Sequence, residues 1–226
     1  MRRLLLIVPV LLMILLTGIT NDFGYINARW ISGAQAEAGA VSLQADITID
    51  SPFTLSRNPL LQVAGIPGYL NLELIRGTYL EDWNALSATG GRSWSGDFRL
   101  SITGEDGVLL HTFPLSDQYN EELQFNDLFQ IEFGDYNGDG NPDFTIGQYG
   151  SSNGNFYRLF AISKDCSIQE LAVERTPELF ISSTDRYSVK LTETAEGFTA
   201  SHYDNSTGRL AVHTYRWDGA VFQRVQ

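Results

Sequence analysis

The stretch F-Q-I-E-F-G-D-Y-N-G-D-G-N-P-D-F-T-I-G, residues 129–147, decides the fold of this 226-residue chain. Apolar residues alternate with polar or small ones over 129–134 and again over 144–147. Alternation with a period of two is typical of strands that are buried on one face. The segment between them, 135–143, is rich in Asp, Asn and Gly, which are residues of tight turns. The sequence therefore predicts two strands joined by a polar loop.

The loop offers the oxygen ligands that a calcium ion prefers. Ca²⁺ takes six to eight oxygens in a flexible geometry, whereas Mg²⁺ demands a tighter octahedron. Side-chain oxygens recur at the first, third, fifth and ninth positions of the loop, and Gly140 at the sixth lets the backbone turn sharply. The predicted cofactor is Ca²⁺, and the predicted metal ligands are Asp135, Asn137, Asp139, Asn141 (through its main-chain carbonyl) and Asp143. The alternative is a polar hairpin loop that binds no ion.

The exit from the loop distinguishes it from a helical EF-hand. The twelfth position, where an EF-hand carries a bidentate Glu, is Ile146. The stretch F-G-D-Y-N-G-D-G-N-P-D-F-T-I-G-Q (133–148) instead resembles an FG-GAP or VCBS-type repeat, the calcium-bearing blade segment of integrin-like β-propellers and of many secreted bacterial proteins. The resemblance spans about residues 128–150 and implies that the five predicted ligands hold the ion. The sequence shows a single copy, although propellers are built from periodic repeats.

Strand patterns dominate the rest of the chain. Alternating or β-branched segments predict further strands at 41–49, 70–75, 98–102, 108–113, 156–162, 168–173, 187–191, 198–203, 210–217 and 221–225. A short helix is expected within 117–128, and loops are expected at 56–68 and 89–96. The predicted fold is all-β, with antiparallel sheets in a single domain that contains the strand–loop–strand calcium site. Both a two-sheet sandwich and a small propeller-like meander fit this pattern.

The N-terminus has the layout of an export signal. Two arginines precede an apolar run over 4–16, and Ala34-Gln35-Ala36 fits a cleavage site. We expect residues 1–36 to be a signal peptide and 37–226 to be one extracytoplasmic domain, secreted or held at the cell surface. The long distance between the apolar run and the cleavage site leaves an uncleaved N-terminal anchor open.

The chain is acidic, with a formal net charge of −12. Ten Asp or Glu residues and no Lys or Arg lie between Arg99 and Arg158, the span that contains the loop. Such a field repels nucleic acid and anionic membranes and concentrates cations. We therefore expect no nucleic-acid partner, and no membrane contact beyond the N-terminal segment. Cys166 is the only cysteine, so no internal disulfide supports the core.

Candidate catalytic groups are few. The sequence contains no recognisable nucleophile–base motif, and we predict no catalytic residue. His202 and His213 flank a turn at 204–208, but a transition-metal site would need a further ligand nearby. Polar residues edged by aromatic rings, from Tyr149 to Phe156, form a surface of the kind that contacts glycans.

These observations favour a non-enzymatic role. We expect an exported calcium-binding β-domain that acts as a binding or cell-envelope interaction module, with a glycan or a cell-surface protein as its partner and with calcium mainly structural. The alternative is a calcium-stabilised extracellular hydrolase, or an accessory domain, that acts on polysaccharide. A cleft with two converging carboxylates would favour the enzyme, and a flat aromatic face would favour the binding module. The sequence leaves the oligomeric state open.

Overall fold

The computed structural model describes residues 44–84 and 90–225, and strands dominate their regular structure. The first sheet contains β1 (Gln44–Ile49), β2 (Phe53–Pro59), β3 (Gly68–Asp82), β4 (Gly91–Gly104), β5 (Leu109–Pro114) and β6 (Leu123–Phe125). The second contains β7 (Phe133–Gly134), β8 (Asp143–Ser151), β9 (Gly154–Ile162), β10 (Ile168–Val173), β11 (Leu179–Ile181), β12 (Thr192–Thr194), β13 (Gly197–Asp204), β14 (Arg209–Trp217) and β15 (Val221–Arg224). One short helix, α1 (Leu61–Ala64), and a 3₁₀ turn (Ser116–Gln118) accompany these strands.

The first sheet is built around two long strands. β3 pairs with β4 in antiparallel register, from Gly68 opposite Gly104 to Asp82 opposite Gly91. β1 and β2 follow one another along the free edge of β3, and β5 and β6 follow one another along the free edge of β4. The sheet is therefore only four strands wide, although six strands contribute to it.

The second sheet curls into a nearly closed barrel. Its strand order is β12-β13-β14-β15-β10-β9-β8-β7, with β11 also beside β9. The backbone N–H of Ser182, just past β11, donates to the carbonyl of Ser201 on β13 at 3.0 Å, which draws the two sides of the curled sheet together. Among the described residues every strand pair is antiparallel except β10–β15. The predicted all-β, single-domain fold is confirmed, and the second sheet curls further than the layer of a flat sandwich.

The β8–β9 hairpin is the wall between two hydrophobic cores. Successive side chains of a strand point to opposite faces of the sheet. One face contributes to the core that the first sheet covers, through Phe144, Ile146, Phe160 and Ile162. The other face contributes Tyr157, Leu159 and Ala161 to the core inside the curled sheet, where Phe198 and Phe222 also lie. Both faces of the hairpin are therefore buried over most of its length.

The predicted strand at 129–134 is mostly irregular. Only Phe133–Gly134 pairs, with β8. The N–H of Ile131 donates to Asn58 Oδ1 at 2.8 Å, so a side chain takes the place of a strand ladder. The alternation does predict the burial of Ile131 correctly, since this residue lies in the first core.

The predicted strand at 187–191 is wrong. No strand covers these residues. The hydroxyl of Thr145 on β8 accepts from the N–H of Val189 at 2.8 Å and donates to its carbonyl at 2.9 Å. The N–H of Gly147 on β8 also donates to the carbonyl of Tyr187 at 2.9 Å, so the segment is held by a side chain and one backbone N–H of the wall and forms no strand ladder with it.

The helix expected within 117–128 is also wrong, because that segment forms a 3₁₀ turn and then β6. Leu123 and Phe125 are buried in the first core with strand periodicity, and this packing overrides the helix preference of the preceding glutamates. The loops expected at 56–68 and 89–96 are partly strand, since β2 runs to Pro59 and β4 begins at Gly91.

Among the described residues no helix has the length and apolar character needed to cross a bilayer. The predicted signal peptide, residues 1–36, lies outside the described residues.

The wall provides a test of this architecture. Phe160 is fully buried and contacts the rings of Phe113 and Phe144, with centroids 5.7 and 5.6 Å away. We expect Phe160→Ala to lower the free energy of unfolding by about 3–5 kcal/mol in urea denaturation, because it leaves a cavity between the two sheets. Phe156→Ala, on the same strand but exposed, is the matched control and should cost no more than about 1 kcal/mol. Equal costs would contradict the placement of Phe160.

Candidate metal centre

The acidic loop, residues 135–143, follows β7 and ends at Asp143, the first residue of β8. Phe133 lies opposite Phe144 and Gly134 lies opposite Asp143, so the two ends of the loop are fixed by a short antiparallel pair. All five predicted ligands lie on this loop or on the first residue of β8. The strand–loop–strand arrangement expected from the sequence is therefore present.

The loop is wound around the carboxylate of Asp135. Its two oxygens accept the backbone N–H groups of Gly138, Asp139 and Gly140 at 2.9, 3.1 and 3.0 Å. Asn137 Oδ1 then accepts the N–H of Asp139 at 3.0 Å. These local bonds explain why Asp and Asn alternate in the sequence, since each side chain satisfies donors of the turn that follows it.

Asp143 closes the loop from inside the protein. It is fully buried at the start of β8. Its Oδ2 accepts the N–H groups of Tyr136 and Asn137 at 2.8 and 3.3 Å, whereas its Oδ1 has no hydrogen-bond partner. Burial raises the pKa of Asp143 to about 7, and the nearby carboxylates of Asp139 and Asp135 add to the rise. A buried carboxylate oxygen without a partner costs free energy, and a cation bound to Asp143 Oδ1 would reduce that cost.

Tyr136 anchors the loop to the second core, a role that the sequence analysis missed. Its ring is buried against Phe198, with centroids 5.8 Å apart, and its hydroxyl accepts the N–H of Leu191 at 3.1 Å. The sequence does contain a signal for this role. Tyr136 lies between two predicted ligands, Asp135 and Asn137, and neighbouring side chains of an extended chain point to opposite sides, so its ring points away from the ligands. Tyr136 therefore couples the loop to the irregular segment around Leu191.

The donor chemistry of the loop fits a hard cation. A carboxylate oxygen can accept at two sites, so the bonds from backbone N–H groups do not exhaust Asp135. The side chains are, however, bonded to the loop itself: Asn137 Nδ2 donates to Asp139 Oδ2 at 3.1 Å, and Asp139 Oδ1 accepts the N–H of Asn141 at 2.8 Å. Residues 44–84 and 90–225 contain no group of three or more His, Cys, Asp or Glu side chains that could already hold a metal ion together. The fit thus rests on the type of donor and on the orphaned Asp143 Oδ1.

His202 and His213 lie on the adjacent strands β13 and β14, with ring centroids 5.2 Å apart. The turn at 204–208, which these histidines flank in the sequence, brings the two rings together. Within the part of the chain that the structure describes, no third His, Cys, Asp or Glu joins them in a metal-binding group. His202 also packs edge-on against Phe180, with centroids 5.9 Å apart, so the pair belongs to a row of rings.

Comparison of the chain with models of protein families, with curated proteins and with solved structures found no match. The resemblance of residues 128–150 to an FG-GAP or VCBS-type repeat therefore stays a prediction from the sequence motif.

The conformation of the loop can be tested at Gly140. This residue has a φ of 78°, and a Cβ placed there would meet no heavy atom within 4 Å. We expect Gly140→Ala to lower the free energy of unfolding by about 1–2 kcal/mol, since the left-handed conformation itself disfavours a side chain. Gly140→Asn should cost less, because Asn adopts this conformation more readily.

Urea denaturation in the presence of EDTA measures both variants without any contribution from bound metal. If Gly140→Ala and Gly140→Asn lowered the free energy of unfolding equally, the left-handed backbone conformation would not be the reason for the glycine.

Proposed function

We propose that this protein is an exported β-domain that holds one calcium ion in the loop 135–143 and acts as a non-enzymatic binding or cell-envelope interaction module. The observation that carries the calcium proposal is Asp143, a fully buried carboxylate whose Oδ1 has no hydrogen-bond partner. A cation beside this oxygen would supply the missing partner. It would also offset the repulsion between Asp143 and the carboxylates of Asp135 and Asp139.

The donor set supports a hard cation such as calcium over a transition metal. The candidate ligands are carboxylates, an amide and a main-chain carbonyl, which are the oxygens that hard cations take. Imidazole and thiolate, which favour zinc and copper, are not among them. At extracellular-type affinities of roughly 10⁻⁴–10⁻³ M the loop would fill outside a cell and empty in the cytosol.

A structural role for the ion follows from where the loop sits. Its last ligand is the first residue of β8, the wall between both cores, and Tyr136 joins the loop to Leu191. An ion that binds only the folded loop stabilises the whole domain by mass action. In the proposed function calcium holds the fold in the extracellular medium, and another surface contacts the partner.

The calcium proposal predicts a melting temperature that depends on the ion. At a Ca²⁺ concentration of about 100 Kd the folded state should gain about 2.7 kcal/mol. For a domain of this size that corresponds to a rise of roughly 5–10 °C over the protein in EDTA. Added Mg²⁺ at the same concentration should restore much less, and equal melting with and without Ca²⁺ would reject the proposal.

Asp139→Ala should abolish the calcium response. Asp204→Ala is the matched control, because Asp204 also organises an exposed turn, accepting the N–H of Ser206 at 2.8 Å and the hydroxyl of Thr207 at 3.0 Å. Both variants lose turn hydrogen bonds, but Asp204→Ala should keep the full rise with Ca²⁺. A response lost equally in both would mean that calcium acts through the general negative charge of the protein.

A further inference from the structure

A cleft of about 500 Å³ lies between segment 119–126 and the β8–β9 hairpin. Its volume falls in the range of small-molecule binding sites. The lining combines aromatic rings, side-chain amides and carboxylates, and it contains no Lys or Arg. The lining residues used in the argument below are Tyr149, Phe156, Asn120, Glu121, Glu122 and Glu178.

The two rings are exposed yet supported from one side. Tyr149 and Phe156 are 41% and 39% exposed. The guanidinium carbon of Arg186 lies 5.3 Å from the centroid of the Tyr149 ring, and the ring of Phe180 lies 5.1 Å from that of Phe156. Arg186 lines the neighbouring hollow and not this cleft. Rings held in this way offer apolar contact area with little conformational entropy left to lose on binding.

The charge of the cleft selects the ligand. Glu178 shares the buried guanidinium of Arg158 with Glu170, at 3.4 and 2.8 Å. Glu121 and Glu122 form no ion pair with any residue in the described ranges. Carboxylates without a cation attract positive groups and disfavour anions. An ammonium group offers three donors, and its hydrogen bonds to carboxylates are strong ones.

We propose that this cleft binds an amino sugar, an oligosaccharide whose units carry free ammonium groups. The C–H face of a sugar ring packs on Phe156, the ammonium group pairs with Glu121 and Glu122, and the hydroxyls bond to amides such as Asn120. A uronic acid carries the wrong charge for this lining. A lysine-rich peptide has ammonium groups but no ring face to pack on Phe156. The inference rests on the proposal that the protein is a binding module, and it names the class of ligand.

Calorimetric titration of the purified protein tests the ligand class. The probes are the glucosamine trimer, the N-acetylglucosamine trimer, trigalacturonate and trilysine, in Ca²⁺ and at a mildly acidic pH where the amine of glucosamine is protonated. We expect the glucosamine trimer to bind at least about tenfold more tightly than its uncharged N-acetyl counterpart, and trigalacturonate not to bind. No binding of the glucosamine trimer overturns the proposal, and so does equal or tighter binding of trilysine.

Paired variants locate the site. Glu121→Gln with Glu122→Gln should weaken binding of the glucosamine trimer by about tenfold, and Phe156→Ala should weaken it as well. The matched control is Glu105→Gln with Asp106→Asn, which removes the same charge from the exposed β4–β5 turn and should change nothing. A control that loses as much affinity would assign the attraction to net charge and overturn the site.

The two proposals fail separately. Sugar binding in a protein whose melting ignores Ca²⁺ rejects the calcium proposal alone. A normal calcium response without sugar binding rejects the amino-sugar site alone.

Discussion

The burial of the β8–β9 hairpin on both faces is the constraint on which the rest of the structure depends. Most half-buried strands tolerate any polar residue on their free face, but this hairpin has no free face over most of its length. A shift of one residue in its register would exchange the side chains of the two cores. The first sheet, the curled second sheet and the acidic loop all meet this wall, so its register fixes where each of them lies.

This constraint explains why two polar residues of β8 are buried. Asp143 and Thr145 alternate with Phe144 and Ile146, and therefore face the side opposite the first core. The hydroxyl of Thr145 and Oδ2 of Asp143 bond to backbone groups of segments that are not strands, whereas Asp143 Oδ1 has no hydrogen-bond partner. Thr145 exchanges two hydrogen bonds with Val189, and Asp143 accepts N–H groups of the acidic loop. The irregular segments are thus part of the structure of the wall, because they complete its hydrogen bonding where no neighbouring strand does.

Local features of the sequence were predictable, whereas features that depend on distant partners were not. The alternation over 144–147 and the glycine at position 140 identified the strand and the turn, because both signals lie within a few residues. The same alternation predicted that only one face of the strand is buried. The second face is buried by a segment that includes Val189, the hydrogen-bond partner of Thr145, which lies 44 residues away in the sequence. The parallel pairing of β10 with β15 joins Val173 to Phe222, and no pattern in either strand indicates it. The cleft is likewise invisible in the sequence, since segment 119–126 reaches the hairpin through tertiary contacts: Leu123 and Phe125 pack in the first core, and the hydroxyl of Tyr119 donates to the carbonyl of Ile146 at 3.1 Å.

The proposed calcium loop and the proposed sugar cleft lie at opposite ends of one hairpin, and this separation bears on whether binding at one would affect the other. Asp143 begins β8, and Tyr149 lies six residues farther along, a rise of about 20 Å. Coupling between two sites needs an element with two discrete arrangements that both ligands bias. A close-packed wall between two cores is a poor candidate for such an element, because any change in it would disturb both cores at once. A cation bound at Asp143 would therefore stabilise the hairpin without altering the affinity of the cleft, which is what the proposed structural role of calcium requires.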